Sequence, residues 1–339
     1  MCVKLLLFSL FLLAYRLLFF NVEATQIHNA VLSSPVKTLF ILPSLQPIIL
    51  PSTIRPPVQL LIPPSSNLIE IARRLVNKGV LTNPWMFLAQ AFRYGSFKPG
   101  IYKLKLNMDA ASAIEVLAHP PVYKLTIPEG FTVADSVRYL NRQPFLIGGV
   151  FTLPPEGILL PETYCVSYGD SRTVVLKRME DAMSKTLKEV WEKPSPTKEL
   201  IGSEIGLLTL ASIIEKETGR AAERPHIAGV FLNRLAKKMR LQSDPTASYA
   251  VTGGKQPLGR SLTKADLAVV SPINTYVTAG IPPQPIACPG KAALLAVMEP
   301  LRTQNLYFVA DGTGGHQFSE TLDQHNMHAK KWRQSQKKR

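Results

Sequence analysis

The sequence predicts an α+β protein: an N-terminal apolar helix, a small β-α-α-β module and a larger mixed α+β domain. Three observations predict this class. The 339 residues are 46% apolar and 19% charged, a composition typical of folded chains. Segments with apolar residues at helical spacing alternate with short strands of period two. Turns rich in proline and glycine separate these segments, and the length suits two or three domains.

The first 25 residues are predicted to anchor the chain in a membrane. Residues 5–20 form a nearly unbroken apolar run in which Arg16 is the only charge. A helix of this length reaches about 24 Å, and its flanking residues bring it close to the ~30 Å hydrocarbon core. Lys4 favours a cytoplasmic N-terminus, which predicts a single-pass protein of the cell's inner membrane with its folded part outside the cytoplasm. The alternative is a signal peptide cleaved near residues 22–24, which also exports the rest.

Residues 26–64 are predicted to be an extended linker. Eight prolines fall between residues 31 and 64, a density that blocks helices and central strands. The linker is expected to end in one strand over 58–62.

Residues 65–127 are predicted to form the small β-α-α-β module. Ser66 is the expected N-cap of a helix that stops at Gly79, and Pro84 opens a second helix. A strand over 101–106, a helix over 110–117 and a strand over 123–127 follow. Nothing in this module looks catalytic, so we interpret it as a binding module, with a passive spacer as the alternative.

The rest of the chain is predicted to comprise an intermediate α+β subdomain over 128–198, a mixed α+β domain over 199–332 and a basic tail over 333–339. The formal charge of +15 points to an anionic partner such as nucleic acid, lipid or wall polymer. Export argues against nucleic acid. Six of the last ten residues are basic, which is typical of a solvated end.

The three cysteines are too few for a disulfide scaffold, and no C-x-x-C pair is present to hold zinc. Cys165 and Cys288 are able to pair in an oxidising compartment, but two separate buried thiols fit the sequence equally well. His316, His325 and His328 lack partners at metal-ligand spacing. The glycine-rich stretch over 311–316 predicts a hairpin and lacks the ending of a phosphate-binding loop. No metal or organic cofactor is implied.

The most unusual polar residue is Glu215, which lies on the apolar face of a helix predicted to end at Gly219. Leu208, Ala211 and Ser212 precede it by one or two turns on the same face. A carboxyl group against such a face loses hydration, which raises its pKa and suits a general acid. Glu217 points the other way and is expected to pair with a basic residue of the next helix. On spacing alone, two surface glutamates at a helix end remain the alternative.

Several ordered motifs resemble the endolytic murein transglycosylase, or YceG-like, family. They are IPEG at 127–130, EGILLPETY at 156–164, ASIIEKETG at 211–219, AGVFLNRL at 228–235, MRLQSDPT at 239–246, SPINTY at 271–276, GIPPQPIACPG at 280–290 and YFVADGTGGHQFSETLDQHN at 307–326. The resemblance spans most of the chain. It implies a retained membrane anchor, a LysM-like fold for residues 65–127, and a catalytic domain over 199–332 in which Glu215 is the catalytic residue.

The resemblance also implies a reaction. Such an enzyme cleaves the MurNAc–GlcNAc bond of nascent peptidoglycan strands to leave 1,6-anhydro ends, which is taken to terminate elongation beside penicillin-binding synthases. One carboxyl group is enough, and we expect no second carboxylate near Glu215. Five residues are candidates for sugar binding or charge stabilisation: Asn233 on a helix predicted over 224–238, and Gln242, Asp244, Asn274 and Tyr276 in polar loops. The pair Asp244-Pro245 favours a turn in the first of these loops.

Four departures from the family pattern fall in loops that the resemblance implies bind substrate: Ile273, Gln284, Cys288 and the pair Ser248-Tyr249. Two other functions compete with catalysis. One is a peptidoglycan-binding or synthase-scaffolding membrane protein without chemistry, and the other is a basic nucleic-acid binder.

Overall fold

The computed structural model describes residues 56–337 and their side chains as far as residue 334. The predicted membrane helix and most of the proline-rich segment lie outside the described residues. Within residues 56–337, no helix combines the length and apolarity needed to cross a membrane. This part of the chain contains three two-stranded antiparallel sheets together with helices, which confirms the mixed α+β class.

The first folded unit has the order β-α-α-β, followed by one more helix. Strand β1 (Val58–Ile62) pairs antiparallel with β2 (Gly100–Leu104), and helices α1 (Leu68–Asn77) and α2 (Pro84–Ala91) connect them. Helix α3 (Ala110–Ala118) follows. Because alternate strand residues face the helices, β2 buries one side only. The strand that we expected at the end of the linker therefore belongs to this unit.

The N-cap of α1 differs from the prediction. Asn67, not Ser66, caps the helix, because the Asn67 side-chain oxygen accepts the Glu70 N–H at 2.8 Å. The Ser66 hydroxyl instead donates to the Pro63 carbonyl at 3.0 Å. Asparagine and serine are about equally good caps, so the sequence alone does not choose between neighbours.

The second unit is built on strands β3 (Val122–Thr126) and β4 (Thr163–Ser167), which pair antiparallel. The strand that we assigned to the first module thus pairs with the second unit. Helices α4 (Val133–Asn141) and α5 (Arg172–Trp191) pack on this sheet. Their shared core contains Leu125, Leu140, Val175 and Met179, and it also includes Cys288 from a distant loop.

The third unit is mostly helical, and its centre is α7. Its elements are α6 (Lys198–Ile201), α7 (Glu204–Glu217), α8 (Arg224–Ala236), α9 (Asp244–Thr252), α10 (Lys264–Leu267), α11 (Lys291–Met298), the hairpin β5 (Tyr307–Ala310) and β6 (His316–Ser319), and α12 (Leu322–Lys337). Residues 206–215 of α7 are all buried. The hairpin confirms the prediction made from the glycine-rich stretch.

Two local predictions in this unit, one helix end and one turn, are wrong. Helix α7 ends at Glu217, with Thr218 in extended backbone (φ −139°, ψ 136°), so Gly219 does not close it in a left-handed conformation. Asp244-Pro245 begins α9 instead of forming a turn. Proline is favoured in the first turn of a helix, where its missing N–H costs nothing.

Candidate active site

Glu215 is buried in the third unit. Its side chain is only 3% exposed, and Leu208, Ala211 and Ser212 on the same helix face are buried as well. The alternative that Glu215 is a surface residue is therefore wrong. The apolar spacing of α7 has placed a carboxyl group inside the protein, where its charge needs specific partners.

Each carboxylate oxygen of Glu215 accepts one hydrogen bond. The Arg224 guanidinium donates to Oε1 through Nη2 at 2.5 Å. The Gly290 N–H donates to Oε2 at 3.0 Å. Arg224 begins α8 and Gly290 is the N-cap of α11, so two helix starts converge on the end of α7. Both contacts favour an ionised Glu215.

A second carboxylate, Glu129, lies beside this pair. The same Nη2 atom of Arg224 donates to Glu129 Oε2 at 2.6 Å, so one guanidinium nitrogen bridges both acids. The Glu129 side chain is 42% exposed. The expectation that no second carboxylate accompanies Glu215 is wrong. Residue 129 belongs to the IPEG motif, which signals the turn but not the distance between the two acids.

The loop carrying Glu129 is fixed to the loop carrying Gly290. The Gly130 N–H donates to the Cys288 carbonyl at 3.0 Å, and the Cys288 N–H donates to the Phe131 carbonyl at 2.8 Å. Lys216 holds the first loop from α7 by donating to the Gly130 carbonyl at 3.1 Å. Gly130 has φ +75°, a conformation that glycine adopts without strain.

The surroundings raise the pKa of Glu215. Burial, which removes the hydration of the charged form, is the largest cause, and the negative charge of Glu129 acts in the same direction. The Gly290 N–H and the Arg224 charge oppose these effects. The net result is a carboxyl group that holds its proton to higher pH than an ordinary glutamate, which is the property of a general acid.

The four residues of the E-K-E-T motif, 215–218, each secure a different segment. Glu217 accepts a hydrogen bond from the Ser243 hydroxyl, which ties α7 to the start of α9. The Thr218 hydroxyl donates to Glu223 at 3.1 Å. We predicted that Glu217 pairs with a basic residue on the next helix. Arg234 on that helix acts on Glu217 through its charge, but the hydrogen bond to Glu217 comes from Ser243.

Glu217 predicts a dependence of stability on pH. Burial raises its pKa to about 7 from the ordinary 4.5, so between those values the folded protein retains a proton that the unfolded chain has lost. The free energy of unfolding is therefore expected to fall as pH rises through this range. The free energy of unfolding of Glu217→Gln, measured by urea unfolding at several pH values, should fall less steeply over this range. Glu204→Gln, an exposed change at the other end of α7, should keep the original slope. Equal slopes for Glu217→Gln and the unmodified protein would contradict the assignment.

Of the other predicted site residues, three lie near the surface and two hold loops. Gln242 and Asp244 are exposed, and the Tyr276 hydroxyl donates to Asp244 at 2.5 Å. Asn233 donates its amide to the Thr303 and Asn305 carbonyls. Asn274 is fully buried and donates to the Leu267 and Val269 carbonyls. The charge of Asp244 acts on Glu217, and the charge of Glu217 acts on Tyr276. The charged groups that act on Glu215 are instead Arg224 and Glu129.

The cysteines and histidines have other surroundings. Cys165 is exposed and Cys288 is buried, and neither is in a disulfide. Burial raises the pKa of Cys288 to about 12. His316 contacts Glu223, with Nδ1 2.8 Å from Oε2, and the ring of His226 stacks on Phe318. Among residues 56–337 no cluster of three histidine, cysteine or acidic side chains is placed to hold a metal ion.

The chain is similar in sequence to a known protein family and to two of the proteins named below. The model of the YceG-like family matches residues 60–331. The chain is 32% identical to an endolytic murein transglycosylase of Bacillus subtilis over 315 residues, which cover 81% of this chain and 84% of that protein. It is 30% identical over 305 residues to a protein of the same name from Streptococcus pneumoniae, covering 75% of this chain and 54% of that longer protein.

A solved structure shares the fold. The crystal structure of a yceG-like protein from Listeria monocytogenes superposes with a TM-score of 0.53 at 29% sequence identity, covering 80% of this chain and 98% of that one. The family match spans most of the sequence and the motifs around Glu215 lie within it. The chain belongs to the YceG-like family.

Proposed function

We propose that the protein is an endolytic murein transglycosylase in which Glu215 is the general acid and base. The observation that carries this proposal is a carboxyl group with a 3% exposed side chain at the meeting point of three helix ends. Relatives named endolytic murein transglycosylase, about 30% identical over most of this chain, support the same function. The proposed substrate is the glycan strand of peptidoglycan, cleaved between MurNAc and GlcNAc.

The proposed reaction needs one proton donor that then accepts a proton. Protonated Glu215 gives its proton to the glycosidic oxygen as the bond to MurNAc C1 breaks. The ionised Glu215 then takes the proton from the 6-hydroxyl of the same MurNAc, and that oxygen bonds to C1. The product is a 1,6-anhydro end, and no water is consumed. Because the attacking oxygen belongs to the same sugar, the reaction gains the advantage of an intramolecular step.

The hydrogen bonds of Glu215 suit the second half of this cycle. The Arg224 and Gly290 N–H groups stabilise the carboxylate that forms when the proton has been given away. Burial favours the protonated state that begins the cycle. Burial and these hydrogen bonds thus favour opposite protonation states of one group, which suits a residue that alternates between them.

The proposal extends to the location of the protein. We propose a single-pass protein of the inner membrane, anchored by residues 1–25, with the folded part on the outer side and close to penicillin-binding synthases. We also propose that the first folded unit is LysM-like and binds glycan. Its β-α-α-β order supports this assignment. Tethering would raise the local concentration of the enzyme beside newly made strands.

The size of the first fragments released from purified, peptide-free glycan strands tests the function. An endolytic enzyme cleaves inside the strand, so early digests should contain long fragments of many sizes, each ending in anhydro-MurNAc. Chromatography with mass detection measures both properties. Retention of strands on the immobilised protein without any fragment would show a binding or scaffolding protein instead. Release of disaccharides alone from the beginning would contradict endolytic cleavage.

A further inference from the structure

One guanidinium nitrogen serves two acids of very different exposure. Arg224 Nη2 lies 2.5 Å from Glu215 Oε1 and 2.6 Å from Glu129 Oε2. The Glu215 and Arg224 side chains are 3% and 8% exposed, while Glu129 is 42% exposed. Glu129 therefore connects a buried charge pair with solvent. An arginine that only neutralised Glu215 would not need this third member.

The charges of these three groups do not balance when both acids are ionised. Two carboxylates and one guanidinium leave one excess negative charge in a largely buried cluster, and a single proton removes it. The proton belongs on the acid that loses more hydration, because keeping a buried carboxylate charged costs more than keeping a wet one charged. Burial therefore selects Glu215 as the protonated member and leaves Glu129 as the ionised partner of Arg224.

Few hydrogen bonds restrain the Arg224 side chain, so it is able to pair with either acid. Its described hydrogen bonds all run through Nη2, and its buried Nε has no hydrogen-bond partner. Glu129, by contrast, is held firmly. Gly130 is bonded to Cys288 and Lys216, and a Cβ on Gly290 would lie 1.9 Å from Glu129 Oε1. The Glu129 carboxylate thus occupies space that a side chain at residue 290 would fill.

We propose that Glu129 is a positioning residue that holds Arg224 as the alternative partner of Glu215 and so keeps the proton on Glu215 before the glycosidic bond breaks. This inference rests on the proposed function. When Glu215 is protonated, Arg224 pairs with Glu129. When Glu215 has given its proton away, Arg224 bridges both carboxylates. The charged groups that act on Glu215 are Glu129 and Arg224, and Lys216 points to Gly130.

The test is the pH profile of fragment release by Glu129→Gln. Glutamine still accepts a hydrogen bond from Arg224 but carries no charge, so Arg224 acts on Glu215 alone and Glu215 loses its proton at lower pH. We expect the alkaline limb of the profile to move to lower pH. At mildly alkaline pH the rate should fall by about tenfold or more, and at mildly acidic pH most of it should return. Glu129→Asp, which keeps the charge, should leave the limb near its original position.

The controls separate this inference from the proposed function. Glu162→Gln, the same change at an exposed glutamate of the second unit, should give the profile of the unmodified protein. If Glu129→Gln has an unmoved alkaline limb, whether its rate is normal or uniformly reduced, the inference is wrong while the function stands. If the unmodified protein forms no anhydro ends, the proposed function itself fails. If Glu215→Gln retains the anhydro-forming activity, the catalytic role of Glu215 fails, whatever Glu129→Gln does.

Discussion

Replacement of Glu215 by glutamine is expected to abolish the release of anhydro-ended fragments. General acid–base catalysis by a positioned side chain contributes about 10²–10⁴-fold, and here one residue supplies both transfers, so the loss should reach at least this range. Glutamine has nearly the same shape but neither donates a proton to the glycosidic oxygen nor takes one from the 6-hydroxyl. The rate of appearance of anhydro ends, measured by mass spectrometry at equal protein concentration, gives the comparison.

The fold of this variant should survive. The amide oxygen accepts only one of the two hydrogen bonds that Arg224 and Gly290 now give, so a modest cost of about 1–3 kcal/mol is expected. Arg224 keeps Glu129 as a charged partner, so no buried charge is left uncompensated. Glu204→Gln, at the exposed start of the same helix, is the matched control and should keep full activity. Activity of a folded Glu215→Gln protein within a few-fold of normal would refute the catalytic role.

Gly290→Ala is expected to have the second largest effect. The backbone of Gly290 has ordinary angles (φ −78°, ψ 166°), so alanine brings no conformational strain. Its Cβ, however, would stand 1.9 Å from Glu129 Oε1 and 2.6 Å from the carboxyl carbon, distances that force Glu129 away. Displacement of this loop also moves the Gly290 N–H, which donates a hydrogen bond to Glu215. We expect at least a tenfold lower rate and a loss of about 1–3 kcal/mol of stability, as overpacking usually costs.

Gly219→Ala provides the control for this change. Gly219 lies just beyond the E-K-E-T motif, but a Cβ there would meet nothing within 4 Å and the backbone is not left-handed. The variant should match the unmodified protein in rate and in urea unfolding. If Gly290→Ala behaves like Gly219→Ala, then Glu129 does not occupy the position that the structure gives it.

The helix face that carries Glu215 was predictable from the sequence, but spacing alone did not decide whether Glu215 is buried, and it did not give its partners. Helical spacing is local information: residues three and four positions apart share a face, which places Glu215 behind Leu208 and Ala211. Arg224 lies only nine residues later, yet an intervening turn sets its direction. Glu129 is 86 residues before Glu215, and only the pairing of two loops brings it near.

The difference between local and long-range information also explains the errors in the predicted fold. Strand β3 was correct as a strand, but its assignment to the first module was wrong because pairing with β4 is a long-range property. The start of α9 at Asp244 was missed because an Asp-Pro pair favours a turn and a helix N-terminus alike. Asn274 was predicted to bind sugar because its loop is polar. Its amide instead bonds to backbone carbonyls inside the protein.

Digestion of glycan strands in ¹⁸O-labelled water tests the central claim most directly. If Glu215 passes the 6-hydroxyl proton and the sugar closes on itself, each new MurNAc end forms without water. Its mass should then be the same in labelled and ordinary water and should correspond to the anhydro form. A new end that carries the label would show that water attacked C1, and the account of Glu215 as the single acid and base of an intramolecular reaction would be wrong.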